Sequence, residues 1–211
     1  MRKIIPTVFS KNKKDFKEKF DKLIGISREL QIDFMDGNFV RAKGISLSII
    51  PNLKNKKINF EAHLMVEQPG KWINNLKKKG FKKVILHIEC KNDIKRVLDK
   101  IHKDKMEAWI ALNPSTSLKK IEEFLGQIDG VLFMGVNPGK ENQKFIPRVL
   151  EKIKKLRKRN NKIKIQVDGG VNLKNIGTLK KIGVNIVNSG SFVSQNENPK
   201  GALKELKKAF R

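Results

Sequence analysis

The feature that most constrains this chain is an alternation of short apolar runs with segments whose apolar residues recur at helical spacing. The runs are Ile4–Phe9, Leu30–Phe34, Ile58–Leu64, Val84–Ile88, Met106–Leu112, Val131–Met134, Ile163–Val167 and Val184–Val187, each of strand length. After the first, Phe16, Phe20, Leu23 and Ile24 fall at i, i+4, i+7 and i+8, one face of a helix. Pro69 opens a helix carrying Trp72, Ile73 and Leu76, which Gly80 stops. Ile94, Val97, Leu98 and Ile101 align on another, and Ser115 to Ser117 cap a helix with Leu118, Ile121 and Leu125 inward. Ile146, Val149, Leu150 and Ile153, then the segment 176–182, predict two more, and Pro199 to Phe210 closes the series.

Strands and helices in this order, at about 26 residues per unit, predict an α/β fold closed into an eight-stranded parallel (β/α)₈ TIM barrel with outer helices. An open doubly wound sheet more often carries a glycine-rich turn after its first strand, and here Phe9-Ser10-Lys11-Asn12 follows instead. With no linker or low-complexity tract, one domain over residues 1–211 is expected. The irregular stretch is Gly37 to Pro51, long enough to lie over a barrel mouth.

Composition narrows the setting. Cys90 is the only cysteine, which excludes an intrachain disulfide and a multi-thiolate metal site and fits a reducing compartment. Near the N-terminus the longest apolar run contains Pro6 and is too short for a signal segment or membrane span, so a cytoplasmic protein without membrane association is expected. Lys+Arg 47 against Asp+Glu 21 gives a formal net charge of +26, a field that attracts anions. The lysines recur on the polar faces of nearly every helix and the chain has no tyrosine, so a nucleic-acid partner that stacks on surface rings is not expected.

In a parallel barrel, chemistry collects where strands end. Side chains alternate along a strand, so with Ile32 and Phe34 under the helices, Gln31, Asp33 and Met35 face the axis. The same rule turns His63 and Met65 inward at the third strand's end and Asp168 at the seventh. Asp33 and Asp168 come from strands far apart in order and so lie across the lumen from one another. Two facing carboxylates suit taking a proton from one face of a carbon and delivering one to the other. His63 beside them completes a divalent-metal set of one imidazole and two carboxylates. His87, followed by Glu89, is read as a supporting residue, and His102 as exposed on a helix. The turns Gly169-Gly170 and Ser189-Gly190-Ser191 stand where barrels often bind phosphate.

Seven segments then resemble one family, in its order and along the whole chain: Ile5-Pro6-Thr7, Asp33-Phe34-Met35-Asp36-Gly37-Asn38-Phe39-Val40, His63-Leu64-Met65, Ala111-Leu112-Asn113-Pro114, Val136-Asn137-Pro138-Gly139, Gln143-Lys144-Phe145-Ile146-Pro147 and Val167-Asp168-Gly169-Gly170. They resemble ribulose-phosphate 3-epimerase. The resemblance implies metal-dependent interconversion of ribulose 5-phosphate and xylulose 5-phosphate, an isomerase reaction of the pentose phosphate pathway, with Asp33 and Asp168 as both acid/base groups and metal ligands. It adds His63 as a ligand to one divalent ion (zinc, iron, manganese or cobalt). Thr7, Met35, Met65, Met134, Gly139, Gly169, Gly170, Gly190 and Ser191 are the implied substrate-binding set. A phosphorylated ketose is then the small-molecule partner, and the family's oligomers imply a homo-oligomer.

Three departures stand out. Gln31 occupies the position where the family usually places a histidine ligand, and an amide oxygen is a weaker ligand for zinc or iron, so Gln31 is a further candidate. The loop Gly139-Lys140-Glu141-Asn142-Gln143 loses two glycines and gains a carboxylate that Lys140 could offset. Arg41 and Ala42 replace the expected proline and asparagine. These departures keep two alternatives in view: a related phosphate-binding barrel acting on a six-carbon ketose phosphate, as an epimerase or like hexulose-phosphate synthase, or a degenerate barrel that binds polyanions.

Overall fold

The computed structural model describes residues 2–54 and 56–211. Eight parallel strands close into a barrel in sequence order: β1 (Lys3–Val8), β2 (Glu29–Met35), β3 (Asn59–Met65), β4 (Lys83–His87), β5 (Glu107–Leu112), β6 (Gly130–Met134), β7 (Lys164–Asp168) and β8 (Ile186–Ser189). Around them run α1 (Lys13–Ile24), α2 (Ile73–Lys79), α3 (Ile94–Lys103), α4 (Arg148–Arg159), α5 (Ile176–Lys181), the single turn α6 (Ser191–Ser194) and α7 (Pro199–Phe210). The barrel expected from the sequence is the barrel observed.

Alternation sorts the side chains as expected. Leu30, Ile32 and Phe34 join the apolar layer between strands and helices, as do Ala62 and Leu64. Ile5, Ile85, Trp109, Leu132 and Ile186 fill the lumen, where each fully buried side chain contributes about 1.5–3 kcal/mol. In α1, Asn12 caps the first turn by accepting from the Asp15 amide at 2.9 Å, and Phe16, Phe20 and Leu23 are buried.

Three local expectations need correction. The segment after β5 is a 3₁₀ helix, Leu118–Phe124, and only Ser117 caps it, accepting from the Lys119 amide. Leu118 and Ile121, three apart, are the spacing a three-residue turn buries. The helix after β6 starts at Arg148, so Ile146 lies outside it. Strand β8 begins at Ile186 because Val184 is used earlier, its amide bonding the Leu179 carbonyl as α5 ends.

Among the described residues, no helix joins β2 to β3. Ile45, Ile50 and Leu53 from the connection are buried in the place a helix would cover. They are joined there by an aromatic ladder in which Phe20 packs on Phe60, Phe60 on Phe81, and Phe81 on Phe34 at 5.8–6.5 Å between centroids. The first part of the connection folds back over the mouth. Asp36 organises it, accepting from the amides of Asn38 and Phe39 at 2.8 and 2.9 Å and of Glu67 at 2.7 Å. Burial would raise the Asp36 pKa, but these backbone donors outweigh it and hold it lowered. Phe39, Val40 and Ala42 then pack on Phe9, Met35 and Met65 as an apolar roof.

Candidate active site

The strand register sets the site. Asp33 pairs with His63 across β2 and β3, and Met134 with Asp168 across β6 and β7. All four project from strand C-terminal ends, where the closed ring brings them to one place. His63 Nδ1 lies 3.1 Å from Asp33 Oδ1 and 3.6 Å from Asp168 Oδ2. Both carboxylates accept from one atom, the amide nitrogen of Gln31, at 3.0 and 2.6 Å. Asp33, His63 and Asp168 are buried, and each offers a ligand atom within 4.8 Å of the others.

Hydrogen-bond polarity shows what these three residues can hold. Glu89 is an acceptor, so His87 Nδ1, 3.2 Å from its carboxylate, carries the proton. His87 Nε2 is then a bare acceptor, and His63 Nε2, 3.0 Å away, must donate to it. With both rings neutral, His63 Nδ1 is left with a lone pair pointing at two carboxylates. Three electron-rich atoms thus converge with no positive charge among them. A cation fits that point; without one, a proton must take its place. The shifts agree with this. Burial, then the charge of Asp33, pushes Asp168 up to about 7. Burial would lower His63, but its hydrogen bond to Asp33 and the surrounding carboxylates outweigh it and raise it. The two compete for one proton. Burial lowers His87, which keeps its ring neutral. Glu89, which burial alone would raise, is lowered by His87, Thr116 and the Asn113 amide and stays ionised.

A cavity of about 80 Å³ opens above this cluster. Among the residues singled out from sequence, Thr7, Asp33, His63, Met65, Met134, Gly139, Asp168, Gly169, Gly170, Gly190 and Ser191 line it. Gln31 lies beneath, and Met35 sits in the apolar roof. Ligand sites are usually ~300 Å³ or larger, so a phosphorylated sugar enters only if the covering loops give way. Glycine is required at two positions here. Gly169 has φ +98°, and a Cβ on it would lie 2.4 Å from Val136 Cγ2; one on Gly170, at φ +69°, would lie 2.7 Å from the Phe145 amide nitrogen.

His87 and Glu89 have the supporting place expected of them, but Thr116, Asn188 and Lys19 join the site without any signal in the sequence. His87 and Glu89 form a defined relay with Asn113 and Thr116, and Phe39 lies against His87 at 4.8 Å between centroids. Asn188 lines the cavity and donates to the Gln31 oxygen at 2.9 Å. Glu141 is answered by Lys19 of α1, at 2.9 Å, while Lys140 is exposed. No local pattern announces that pairing, because 122 residues separate the partners.

A closed parallel barrel with paired carboxylates and an imidazole buried at its catalytic mouth defines an enzyme of the (β/α)₈ class. Comparison with known proteins is more specific. The model of the ribulose-phosphate 3 epimerase family matches residues 3–194. Ribulose-phosphate 3-epimerase of Aquifex aeolicus is 34% identical over 183 residues, covering 84% of this chain and 82% of that protein. The Helicobacter pylori enzyme of that name is 35% identical over 182 residues, 84% of each. The cytoplasmic isoform of Oryza sativa subsp. japonica is 30% identical over 213 residues, 98% of this chain and 93% of that one. The chain belongs to the ribulose-phosphate 3-epimerase family and is an isomerase. Among solved structures, 3-hexulose-6-phosphate synthase from Salmonella typhimurium superposes with a TM-score of 0.75 at 13% identity, covering 100% of this chain and 98% of that one, a likeness of fold alone. No described helix is long and apolar enough to cross a membrane.

Proposed function

We propose that this chain inverts C3 of a ketose 5-phosphate, interconverting ribulose 5-phosphate and xylulose 5-phosphate by two-base proton transfer through an enediolate. The observation that carries this is the pair Asp33 and Asp168, from strands on opposite sides of the ring, buried and tied to one amide nitrogen. A ketose seated above them presents one face of C3 to each carboxylate. One aspartate removes the C3 proton and the other protonates the opposite face, with the roles exchanged in the reverse direction. A carboxyl pushed up to about 7, as Asp168 is, suits a group that must both hold and release a proton near neutrality. A divalent ion held by Asp33, His63 and Asp168 would supply positive charge beside the developing oxyanion, a Lewis-acid contribution worth several kcal/mol. The sulfur-bearing Met65 and Met134 give the reacting carbons a water-poor lining. Gly170, Gly190 and Ser191 are the proposed phosphate contacts; at Gly190 no protein atom lies within 4 Å of where a Cβ would stand, which leaves its backbone approachable.

The test is incubation of the metal-loaded protein with ribulose 5-phosphate in D₂O. Xylulose 5-phosphate carrying deuterium at C3 is expected. No turnover of the pentose, with clear turnover of a six-carbon ketose phosphate, would overturn the substrate assignment and keep the chemistry.

A further inference from the structure

Below the carboxylates lies a second polar layer that the proposed reaction does not use. Gln31, Glu61, Lys83, Gln166 and Asn188, from β2, β3, β4, β7 and β8, are all buried. Lys83 Nζ lies 3.6 Å from the Trp109 ring centroid, bonds Glu61 at 2.8 Å and donates to Gln166 Oε1 at 2.5 Å. Gln166 Nε2 donates to Glu61 at 2.7 Å and to Asn188 Oδ1 at 2.5 Å. Asn188 Nδ2 donates to Glu61 at 3.0 Å and to Gln31 Oε1 at 2.9 Å. Gln31 Nε2 ends the series on Asp33 and Asp168.

The direction of this series is forced. An ammonium only donates and a carboxylate only accepts. Lys83 therefore fixes the oxygen end of Gln166, and Glu61 fixes the nitrogen ends of Gln166 and Asn188. Asn188 then has only N–H to offer Gln31, which must answer with its oxygen and turn its nitrogen toward the acids. Reversing Gln31 alone would set N–H against N–H at Asn188 and oxygen against two carboxylates. Reversing Asn188 as well would press its oxygen on Glu61. Among these buried groups each such mismatch leaves a polar atom without its partner, at a desolvation cost.

We infer that Gln31 is a fixed hydrogen-bond bridge between Asp33 and Asp168 rather than a metal ligand, and that Lys83, Glu61, Gln166 and Asn188 are the positioning residues that deny its oxygen to a cation. The inference rests on reading Asp33, His63 and Asp168 as a cation site, and it makes those three the complete protein ligand set.

Cobalt(II) titration of the metal-free full-length chain, read by its visible absorption, tests this directly. Removing the amide in Gln31→Leu takes one hydrogen bond from each ligating carboxylate and is expected to raise the Co²⁺ Kd by about tenfold at most while leaving the visible band unchanged in position and intensity. A band that shifts or changes in intensity in Gln31→Leu would mean that the ion has lost a ligand, would make Gln31 that ligand and would overturn the inference. Asn188→Val frees the Gln31 oxygen; Kd is expected to fall about tenfold with a changed band as that oxygen joins the ion. An unchanged Kd and band would overturn the positioning role. If Asn188→Val does not fold, the pair Lys83→Met with Glu61→Leu removes both charged ends together and carries the same expectation.

A parent that binds no Co²⁺ would defeat the cation reading, and nitrogen-15 NMR separates that failure from this one. The metal-free parent is expected to show a slowly exchanging glutamine NH₂ pair that vanishes in Gln31→Leu. Absence of any such pair would overturn the bridge itself.

Discussion

Two polar relays reach the same pair of carboxylates from different sides of the lumen, and they end in opposite chemistry. The imidazole relay starts at the ionised Glu89, passes through His87 and delivers a bare lone pair on His63 Nδ1. The amide relay starts at the Lys83 ammonium, passes through Gln166 and Asn188 and delivers N–H donors from Gln31. An anion at the far end of one and a cation at the far end of the other set the two polarities. The acceptor end raises the demand for positive charge between Asp33 and Asp168; the donor end partly meets it. The sign of the charge at the root of each relay thus decides whether the tip ligates a cation or stands in for one.

The largest effect is expected where both relays end. Asp33→Asn and Asp168→Asn should each lower C3 epimerisation by about 10³-fold or more, since each removes one of two obligatory acid/base groups, with far-UV circular dichroism unchanged. Near-parental turnover in either variant would remove the two-base scheme and with it the reason both relays converge there.

Next comes the imidazole side. In His87→Leu, His63 Nε2 loses its acceptor and nothing fixes which ring nitrogen is bare. Affinity for a divalent ion should fall about 10–100-fold, the usual consequence of losing the partner that orients a ligating histidine. Paired with Asn188→Val, for which tighter binding is expected, the comparison predicts opposite signs from two truncations. The same sign from both would break it.

A smaller effect follows from pH. To ligate, Asp168 must lose the proton that burial and Asp33 hold on it up to about 7, and His63, also raised, must present a bare Nδ1. Both requirements act in one direction. Apparent metal affinity should weaken as pH falls through about 7, by up to about tenfold per unit for each competing proton. An affinity flat between pH 5.5 and 8 would show that no proton substitutes for the ion.

Much of this was open to reading from the sequence because strands keep a strict period of two. With Ile32 and Phe34 in the helix-facing layer Asp33 must face the lumen, and the same alternation about Ala62 and Leu64 and beside Val167 turns His63 and Asp168 inward, where the structure places them. That period carried a further message. Gln31, Glu61 and Gln166 stand two residues before Asp33, His63 and Asp168, so a second polar layer beneath the first was written in the same three strands. Its wiring was not legible, because Lys83 and Asn188 enter from other strands and only barrel closure makes them neighbours. The missing helix between β2 and β3 was signalled by the irregular stretch Gly37 to Pro51, yet its packing depends on aromatic side chains drawn from β2, β3 and the segment before β4. The Lys19–Glu141 pair joins α1 to the loop after β6, a contact that spacing cannot announce.

The smallest expected effect tests how far out the imidazole relay is felt. The Thr116 hydroxyl and the Asn113 amide both donate to Glu89 Oε1, while Oε2 serves His87. Thr116→Val keeps the shape and removes one of these donors, leaving Glu89 Oε1 with the Asn113 amide alone while Oε2 still serves His87. The loss of one hydrogen bond to a charged group, about 1.5–3 kcal/mol in full, is diluted through two imidazoles before it reaches His63. Metal affinity should therefore fall by only about two- to threefold, on the order of 0.5 kcal/mol, and the shift should vanish in a His87→Leu background where the relay is already cut. A Thr116→Val effect that persists undiminished in that background would mean the hydroxyl acts on the loops of the mouth and not through the histidines, and the relay would then end at Glu89.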